Sequence, residues 1–326
     1  MLPAIGPDSE VSMNECIISI QLEQFIQYRR SAGFEDKSTN AFLKGFVRHL
    51  ESIGYKGHLS WEIVKDYCEI RPDSDARSRG RRFECFLSFS KYVNAIDPES
   101  EILPILPYGR CHTRPRPHIY SEQEIRLLVE ACGSLYSPDG LRALTMKTVI
   151  GLMASTGLRT SEAVNLRIRD LDLSKKTITV INGKNGRDRT LPVLDSVLRE
   201  LGAYISATEG ILGNSRHPMD QLFVTTGGKP TTVRGLDYAF SLIRDCIDTS
   251  DSDYPKAILY HLRHTFATRT VERWQKEGKV PGNMLYYLSV YMGHVHPEDT
   301  YWYLSLTPGI IANASSRCEM LFGGEL

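Results

Sequence analysis

Residues 291–303 read Tyr-Met-Gly-His-Val-His-Pro-Glu-Asp-Thr-Tyr-Trp-Tyr, so a Gly-His pair is followed by a tyrosine nine positions after its histidine. Two more clusters lie upstream, where residues 261–268 read His-Leu-Arg-His-Thr-Phe-Ala-Thr and residues 156–162 read Thr-Gly-Leu-Arg-Thr-Ser-Glu. Together they supply two arginines, several histidines and a tyrosine. Attack on a phosphodiester by a protein nucleophile needs such groups. The nucleophile must be positioned, the developing charge neutralised and the leaving oxygen protonated.

Tyr303 is the candidate nucleophile in this pattern. A phenol has a pKa near 10, so only about a thousandth of it is ionised at neutral pH. It therefore needs cationic neighbours and a proton acceptor. Arg159 and Arg263 can supply the positive charge, because a guanidinium is a planar fork that matches two phosphate oxygens and stays charged.

These stretches resemble the tyrosine recombinase (phage integrase) family of DNA strand-exchange enzymes, closely from about residue 118 onward and only in general character before it. The resemblance implies that Arg159 belongs to the first arginine box, Thr-Gly-Leu-Arg-x-x-Glu, and Arg263 to the second. It makes Tyr303 the nucleophile and gives His294 a hydrogen bond to a non-bridging oxygen of the scissile phosphate. For Glu162 it suggests the orientation of Arg159, although an ordinary glutamate near a helix N-terminus fits as well.

The turn at residues 182–188, Asn-Gly-Lys-Asn-Gly-Arg-Asp, resembles the turn that carries a catalytic lysine in the family. Lys184 is then the acid that protonates the leaving 5′ oxygen, which an ammonium can do if its pKa is lowered locally. Arg187 is the alternative candidate. A lysine in a turn rich in glycine and asparagine is otherwise simply solvated.

The chain departs from the family pattern in the second arginine box. The usual sequence is His-x-x-Arg, but here Tyr260 stands where the histidine is expected. His261 is only two residues before Arg263, and such positions do not share a face of a regular helix. Two interpretations follow: Tyr260 hydrogen-bonds the phosphate, with His264 four residues later supporting it, or the helix begins late enough for His261 to reach the site.

The composition is that of an ordinary globular protein long enough for two domains, with 326 residues and 41% hydrophobic content. The 39 basic and 39 acidic residues cancel, although a DNA-binding protein usually shows a basic excess. Local clusters of arginine compensate in part for the missing basic excess. They form either a solvated face or a DNA-binding surface, and consist of Arg77, Arg79, Arg81, Arg82, Arg110, Arg114 and Arg116.

The sequence shows no secretory signal at its start and no apolar run long enough to cross a bilayer. The seven cysteines are scattered without a Cys-x-x-Cys pair, which argues against a zinc site and a disulfide framework and for reduced thiols in the cytosol. There is no Walker loop and no cluster of metal ligands. We therefore expect a cytoplasmic, nucleoid-associated protein with no cofactor and no metal.

Helical periodicity and proline spacing predict the domain organisation. Residues 1–103 form a helical domain, 104–118 a linker rich in proline and arginine, and 119–326 the second domain. The basic flank of the first domain suits DNA clamping, although a generic helical bundle fits as well. In the second domain, Ser121 and Glu124 predict a capping box. The β-branched run 177–181 predicts a strand, and residues 189–192 are predicted to be its hairpin partner.

The fold class is therefore mainly α with a small β-sheet (α+β). To this the resemblance adds an N-terminal helical SAM-like core-binding domain and a C-terminal tyrosine-recombinase catalytic domain with a tail helix.

The activity implied by the resemblance is cleavage and rejoining of double-stranded DNA through a 3′-phosphotyrosyl link, in the integration, excision or transposition of a mobile element. It further implies a homotetramer on synapsed sites, joined through the C-terminal segment, and sister recombinases as partners; the segment can equally dock on its own domain. We expect no membrane partner. Two alternatives remain open: an enzyme like the type IB topoisomerases, and a catalytically weakened DNA-binding accessory protein on the same fold.

Overall fold

The computed structural model describes residues 16–34, 37–70, 75–105, 107–109, 111, 116–181, 188–247, 256–278, 281–294, 296 and 298–301. The chain divides into two compact units, Met1–Arg114 and Pro115–Leu326. The predicted domain boundaries at 103 and 119 stay a prediction. Within the described ranges, no helix is both long and apolar enough to cross a membrane.

In the described residues of the first unit there are four helices: α1 (Ile17–Ser31), α2 (Lys37–Ser52), α3 (Trp61–Glu69) and α4 (Ala76–Ile96). Their apolar faces meet in a core rich in aromatic rings. The ring of Phe46, for example, packs edge-on against Phe86 with centroids 4.8 Å apart. Asp75 starts α4, because its carboxylate accepts the backbone N–H of Ser78 at 2.7 Å.

The arginines of α4 fall into two groups. Arg77 and Arg81 are exposed, whereas Arg79 lies 5.9 Å from the ring centre of Tyr108 and Arg82 donates to the carbonyl of Cys68. Two of the four are therefore held within the unit, and two extend into solvent.

The second unit contains the following helices: α5 (Glu122–Ala131), α6 (Leu141–Thr156), α7 (Thr160–Asn165), α8 (Asp195–Leu212), α9 (Val233–Ile243), α10 (His261–Lys276), α11 (Pro281–Met292) and α12 (Glu298–Tyr301). The apolar helix α6 packs against α5, α8 and α10, and its residues Val149, Ile150 and Met153 are fully buried. The predicted capping box starts α5, with Ser121 and Glu124 each accepting the other's backbone N–H.

The described part of this unit also contains five short strands: β1 (Leu171–Asp172), β2 (Thr177–Val180), β3 (Arg189–Pro192), β4 (Val224–Thr225) and β5 (Lys229–Pro230). The first three form an antiparallel sheet in the order β1-β2-β3, and the last two form a separate pair. In the sheet, Ile178 faces Leu191 and Val180 faces Arg189. The predicted fold class, mainly α with a small β-sheet, is confirmed.

Candidate active site

The turn after α6 sets the direction of Arg159. Gly157 ends the helix with a φ of +63°, in the left-handed region that glycine adopts without strain. Leu158 is fully buried and anchors the turn. Arg159 then precedes α7 in an extended conformation, with φ −70° and ψ 148°. Its guanidinium is thereby directed to Glu162, in the first turn of α7.

Glu162 contacts arginine side chains from separate parts of the chain. Its carboxylate accepts Nη1 of Arg159 at 2.7 Å and the backbone N–H of the same residue at 2.9 Å. Arg189 donates from both terminal nitrogens, each at 2.8 Å, and Nη1 of Arg263 lies 4.0 Å away. Burial alone would raise the pKa of Glu162, but these hydrogen bonds and the charges of Arg189 and Arg159 lower it to about 2.

Arg189 is a site residue that the sequence analysis missed. It lies on β3, two positions before the buried Leu191 and opposite the buried Val180, so strand alternation places it on the buried face of the sheet. That alternation was the signal that could have found it. Besides its two bonds to Glu162, it donates from Nε to the carbonyl of Tyr291 at 3.0 Å. Arg189 thus connects the sheet to α7 and to the end of α11.

Arg263 is completely buried, which is rare for an arginine. Nη1 donates to the carbonyl of Gly157 at 2.7 Å, and Nη2 donates to the carbonyl of Met292 at 2.6 Å. Nη2 also lies 3.0 Å from Nε2 of His294. One guanidinium therefore holds the end of α6 and the end of α11 against the first turn of α10.

The arginine cluster, defined as Arg159, Arg189 and Arg263, carries three positive charges, and within the described part of the chain the carboxylate that its ion pairs share is that of Glu162. An excess of two positive charges in a largely buried group is costly unless an anion joins it. The open side of the cluster is at Arg159, which lines a cavity of about 480 Å³ between α7, α9 and the start of α10. The cluster therefore suits an anion that enters from this cavity.

Tyr260 and His261 face different surroundings. Tyr260 lines the same cavity as Arg159 and is about a third exposed. His261 is buried, and its Nδ1 accepts the backbone N–H of His118 at 3.3 Å. Burial and the nearby His118 lower the pKa of His261 to about 4, so its ring is neutral. The ring of His264 packs edge-on against Tyr260, with centroids 5.1 Å apart.

His294 lies directly after the end of α11. Gly293, before it, has a φ of +66°, and a Cβ there would come within 2.9 Å of Nη1 of Arg189. Only glycine therefore fits between the helix end and the arginine cluster. The ring of His294 bonds Thr300 Oγ1 through Nδ1 at 2.7 Å and meets Arg263 through Nε2. Arg159 donates to the carbonyl of Gly293 at 3.0 Å, so the first box also contacts this turn.

Of the predicted site residues, the structure brings Arg159, Glu162, Arg263 and His294 together, with Tyr260 on the adjoining cavity. Arg116 is described and exposed. The predicted tail helix lies outside the described part of the chain. The same holds for five other predicted site residues: Tyr303, Lys184, Arg187, Arg110 and Arg114.

A model of the phage integrase family matches residues 119–308, which is more than half of the chain and contains all three motif stretches. The chain belongs to this family. The assignment agrees with the resemblance carried by the arginine boxes and the Gly-His pair, and the family is that of the tyrosine recombinases.

The alignments with two relatives of known family cover nearly the whole of this chain. The integrase/recombinase y4rE of Sinorhizobium fredii is 30% identical over 306 residues, 93% of this chain and 96% of its own length. The tyrosine recombinase XerA of Pyrococcus furiosus is 27% identical over 310 residues, 93% of this chain and 96% of its own.

Solved structures share the fold. The Tn1549 transposon integrase, in complex with transposon right end DNA, has a TM-score of 0.65 at 16% identity, covering 93% of this chain and 99% of that chain. A lambda integrase dimer bound to a core site has a TM-score of 0.60 at 14% identity, covering 87% and 94%. The mainly α architecture with its small sheet is therefore that of the family.

Replacing Gly157 with alanine should disturb both the fold and the arginine cluster. The new Cβ would lie 2.4 Å from Cδ1 of Phe266, and alanine is strained at positive φ. We expect the free energy of unfolding to fall by about 2 kcal/mol or more. The measurement is thermal unfolding of Gly157→Ala beside a Gly151→Ala variant. The Cβ added at Gly151 meets nothing within 4 Å. Equal stability of the two variants would contradict the importance of this turn.

Proposed function

We propose that this protein is a site-specific recombinase that cleaves DNA through Tyr303 and stores the phosphodiester energy in a 3′-phosphotyrosyl link. The observation that carries the proposal is the arginine cluster, whose excess of two positive charges opens onto a cavity at Arg159. A phosphodiester entering there supplies one negative charge, and the phosphorane formed on attack supplies a second. The cluster is thus better matched to the transition state than to the bound substrate.

The reaction runs in two steps that balance each other. The phenol of Tyr303 loses its proton to solvent, its oxygen forms a bond to phosphorus while the bond to the 5′ oxygen breaks, and Lys184 gives that oxygen its proton. These proton transfers run in reverse in the second step. The 5′ hydroxyl of a partner strand then attacks the phosphotyrosyl link, restoring a phosphodiester and releasing the tyrosine. No external energy source is consumed, because one phosphoester bond replaces another at each step.

Arg159 and Arg263 neutralise the phosphate in this scheme, and Glu162 holds Arg159 in place. Glu162 fixes the fork of Arg159 through the side chain and the backbone N–H, so the guanidinium does not have to be ordered during the reaction. Arg263 is fixed by two main-chain carbonyls in the same way. Such preorganised charges supply much of the rate enhancement in phosphoryl transfer.

Double-stranded DNA is the proposed partner. The exposed Arg77 and Arg81 of α4, together with Arg116 and other arginines of the predicted linker, are suited to phosphate contacts that position the duplex. We further propose a homotetramer on two synapsed sites in the nucleoid, with sister recombinases as additional partners. The names of the relatives, which include an integrase/recombinase and a transposon integrase, support a role in moving a genetic element.

The test is covalent capture of DNA. Purified protein is mixed with labelled duplex from the flanks of the element that carries its gene, without added metal, quenched in SDS and separated by gel. We expect a band of the protein joined to the 3′ side of the cleaved strand. No band on DNA that the protein demonstrably binds would favour the accessory protein, to which the absence of the second-box histidine also points. Relaxation of supercoils without exchange between two sites would favour the topoisomerase-like enzyme.

Tyr260 should contribute a hydrogen bond to the phosphate rather than take the proton of the nucleophile. Because Tyr260 lines the same cavity as Arg159, Tyr260→Phe should slow adduct formation about tenfold, the worth of one such bond. Tyr260→His should retain or raise the rate, and His261→Gln should leave it nearly unchanged because His261 is turned toward His118. Single-turnover rates decide this, and a greater loss in His261→Gln than in Tyr260→Phe would reverse the assignment.

A further inference from the structure

The turn that leads into α10 carries Tyr260. The backbone N–H of His261 donates to the carbonyl of Ile258 at 2.9 Å, which closes a turn with Leu259 and Tyr260 as its central residues. Leu259 is buried in the core, whereas Tyr260 is about a third exposed and lines the same cavity as Arg159. The backbone of this turn therefore sets the direction in which the side chain of Tyr260 leaves the start of α10.

The carbonyl of Ile258 also accepts a hydrogen bond from a residue far away in sequence. The hydroxyl of Tyr120, 138 residues earlier, donates to it at 2.9 Å, and Tyr120 is only 1% exposed. Burial, together with the nearby Glu124, raises the pKa of Tyr120, so its hydroxyl keeps its proton and can donate. One carbonyl thus uses both of its lone pairs, one for the turn itself and one for a side chain outside it.

Tyr120 is itself held in place at several points. Its backbone N–H donates to Oγ1 of Thr265 at 3.0 Å, and its carbonyl accepts Nη2 of Arg269 at 2.7 Å. Thr265 and Arg269 are four residues apart and share one face of α10. The ring of Tyr120 packs edge-on against His118 and Phe240, with centroids 4.7 Å and 6.4 Å apart. The hydroxyl is therefore a fixed point relative to α10, and the turn is bound to it.

We propose that Tyr120 is a positioning residue for the second arginine box: by fixing the turn before α10, it holds Tyr260 on the wall of the cavity that Arg159 also lines. The expected effect on cleavage rests on the proposed function. The effect on the position of Tyr260 rests only on the contacts of the turn. A shift of about 1 Å in a group that contacts substrate can cost about 10²-fold in rate, so even a partial relaxation of the turn is measurable.

A Tyr120→Phe variant isolates the hydroxyl. Phenylalanine keeps the ring and its packing, and the carbonyl of Ile258 keeps the N–H of His261, so we expect the fold to persist. DNA affinity should equal that of the wild type, because no DNA contact is removed. The single-turnover rate of adduct formation should fall about fivefold, the typical worth of one hydrogen bond.

Tyr204→Phe is the matched control. Tyr204 is also 1% exposed; its hydroxyl lies 2.8 Å from Oγ1 of Thr145 and accepts the backbone N–H of Val224 at 3.1 Å. Among the described residues that line the cavity, none of these three occurs. The same chemical change there should lower the melting temperature by a similar amount and leave the rate at the wild-type level. A Tyr120→Phe variant as fast as Tyr204→Phe overturns the positioning role.

A double-mutant cycle tests whether Tyr120 acts through Tyr260. In the Tyr260→Phe background, adding Tyr120→Phe should change the single-turnover rate less than about twofold, because the hydroxyl that it positions is already gone. A further fivefold loss in the double variant would show two independent effects. That result would overturn the proposal that the turn is held for the sake of Tyr260.

The position of Tyr260 can also be measured without cleavage. 3-Fluorotyrosine is incorporated at position 260 alone in the full-length protein, and its ¹⁹F NMR resonance is recorded with and without Tyr120→Phe or Tyr204→Phe. We expect a resonance that shifts or broadens with Tyr120→Phe and is unchanged with Tyr204→Phe. An identical resonance in all three proteins overturns the proposal. If the wild type forms no adduct on DNA that it binds, the proposed function fails instead, and the resonance still decides whether Tyr120 holds the turn.

Discussion

A Tyr303→Phe variant is expected to bind DNA as tightly as the wild-type protein and to form no covalent adduct with it. Phenylalanine retains the ring but lacks the oxygen that must bond phosphorus, so no other property of the site can compensate. Loss of a nucleophile that acts together with its neighbours typically costs at least about 10⁴-fold in rate. The measurement is adduct formation on a nicked duplex, which traps the intermediate because the severed end diffuses away, beside a mobility-shift titration with the same DNA.

Tyr301→Phe provides the matched control for this variant. Tyr301 lies two residues before Tyr303 in the same aromatic run, ends α12 and is half exposed. The same chemical change there should leave the adduct at the wild-type level. An adduct that persists in Tyr303→Phe and disappears in Tyr301→Phe would assign the role of nucleophile to Tyr301. Mass spectrometry of the DNA-linked peptide would show the attached residue directly.

A Glu162→Gln variant is expected to lose both stability and cleavage. The amide removes the negative charge that Arg159 and Arg189 share and leaves their buried charges uncompensated. Breaking a buried ion pair in this way costs about 3–5 kcal/mol. Cleavage should fall as well, because Arg159 loses the partner that fixes its fork. Urea unfolding followed by hydrogen exchange, which resolves the two units separately, should place the whole loss in the unit from Pro115 onward.

The pH dependence of this loss has a definite sign. Because the pKa of Glu162 falls to about 2 in the folded protein, from an ordinary value of 4.5, the carboxylate binds fewer protons when folded. Its contribution is fully present above pH 4.5 and disappears as the pH falls toward 2, and it is worth about 3 kcal/mol. The difference in unfolding free energy between wild type and Glu162→Gln should therefore shrink over this window. Glu130→Gln, at an exposed position of α5, is the control, and a pH-independent difference would contradict this origin.

Local patterns predicted the elements because the interactions behind them span only a few residues. The capping box of Ser121 and Glu124, the end of α6 at Gly157 and the hairpin of β2 and β3 each depend on neighbours in sequence or directly across a turn. The family was predicted for the same reason, since its boxes are short and lie in a fixed order. Arg159 and Glu162 were paired correctly because they share one helical turn.

The features of the site that the sequence did not predict depend on contacts between parts of the chain that are far apart in sequence. Arg189 joins the site only because β3 meets Glu162, 27 residues away, and the end of α11, 102 residues away. The proposed preference for Tyr260 over His261 rests on the hydrogen bond between His261 and His118, 143 residues earlier. Sequence by itself determined the family and most of the helices and strands, and it predicted the reactive groups. The tertiary structure decided which groups meet, because burial and hydrogen-bond partners are set only when the helices pack.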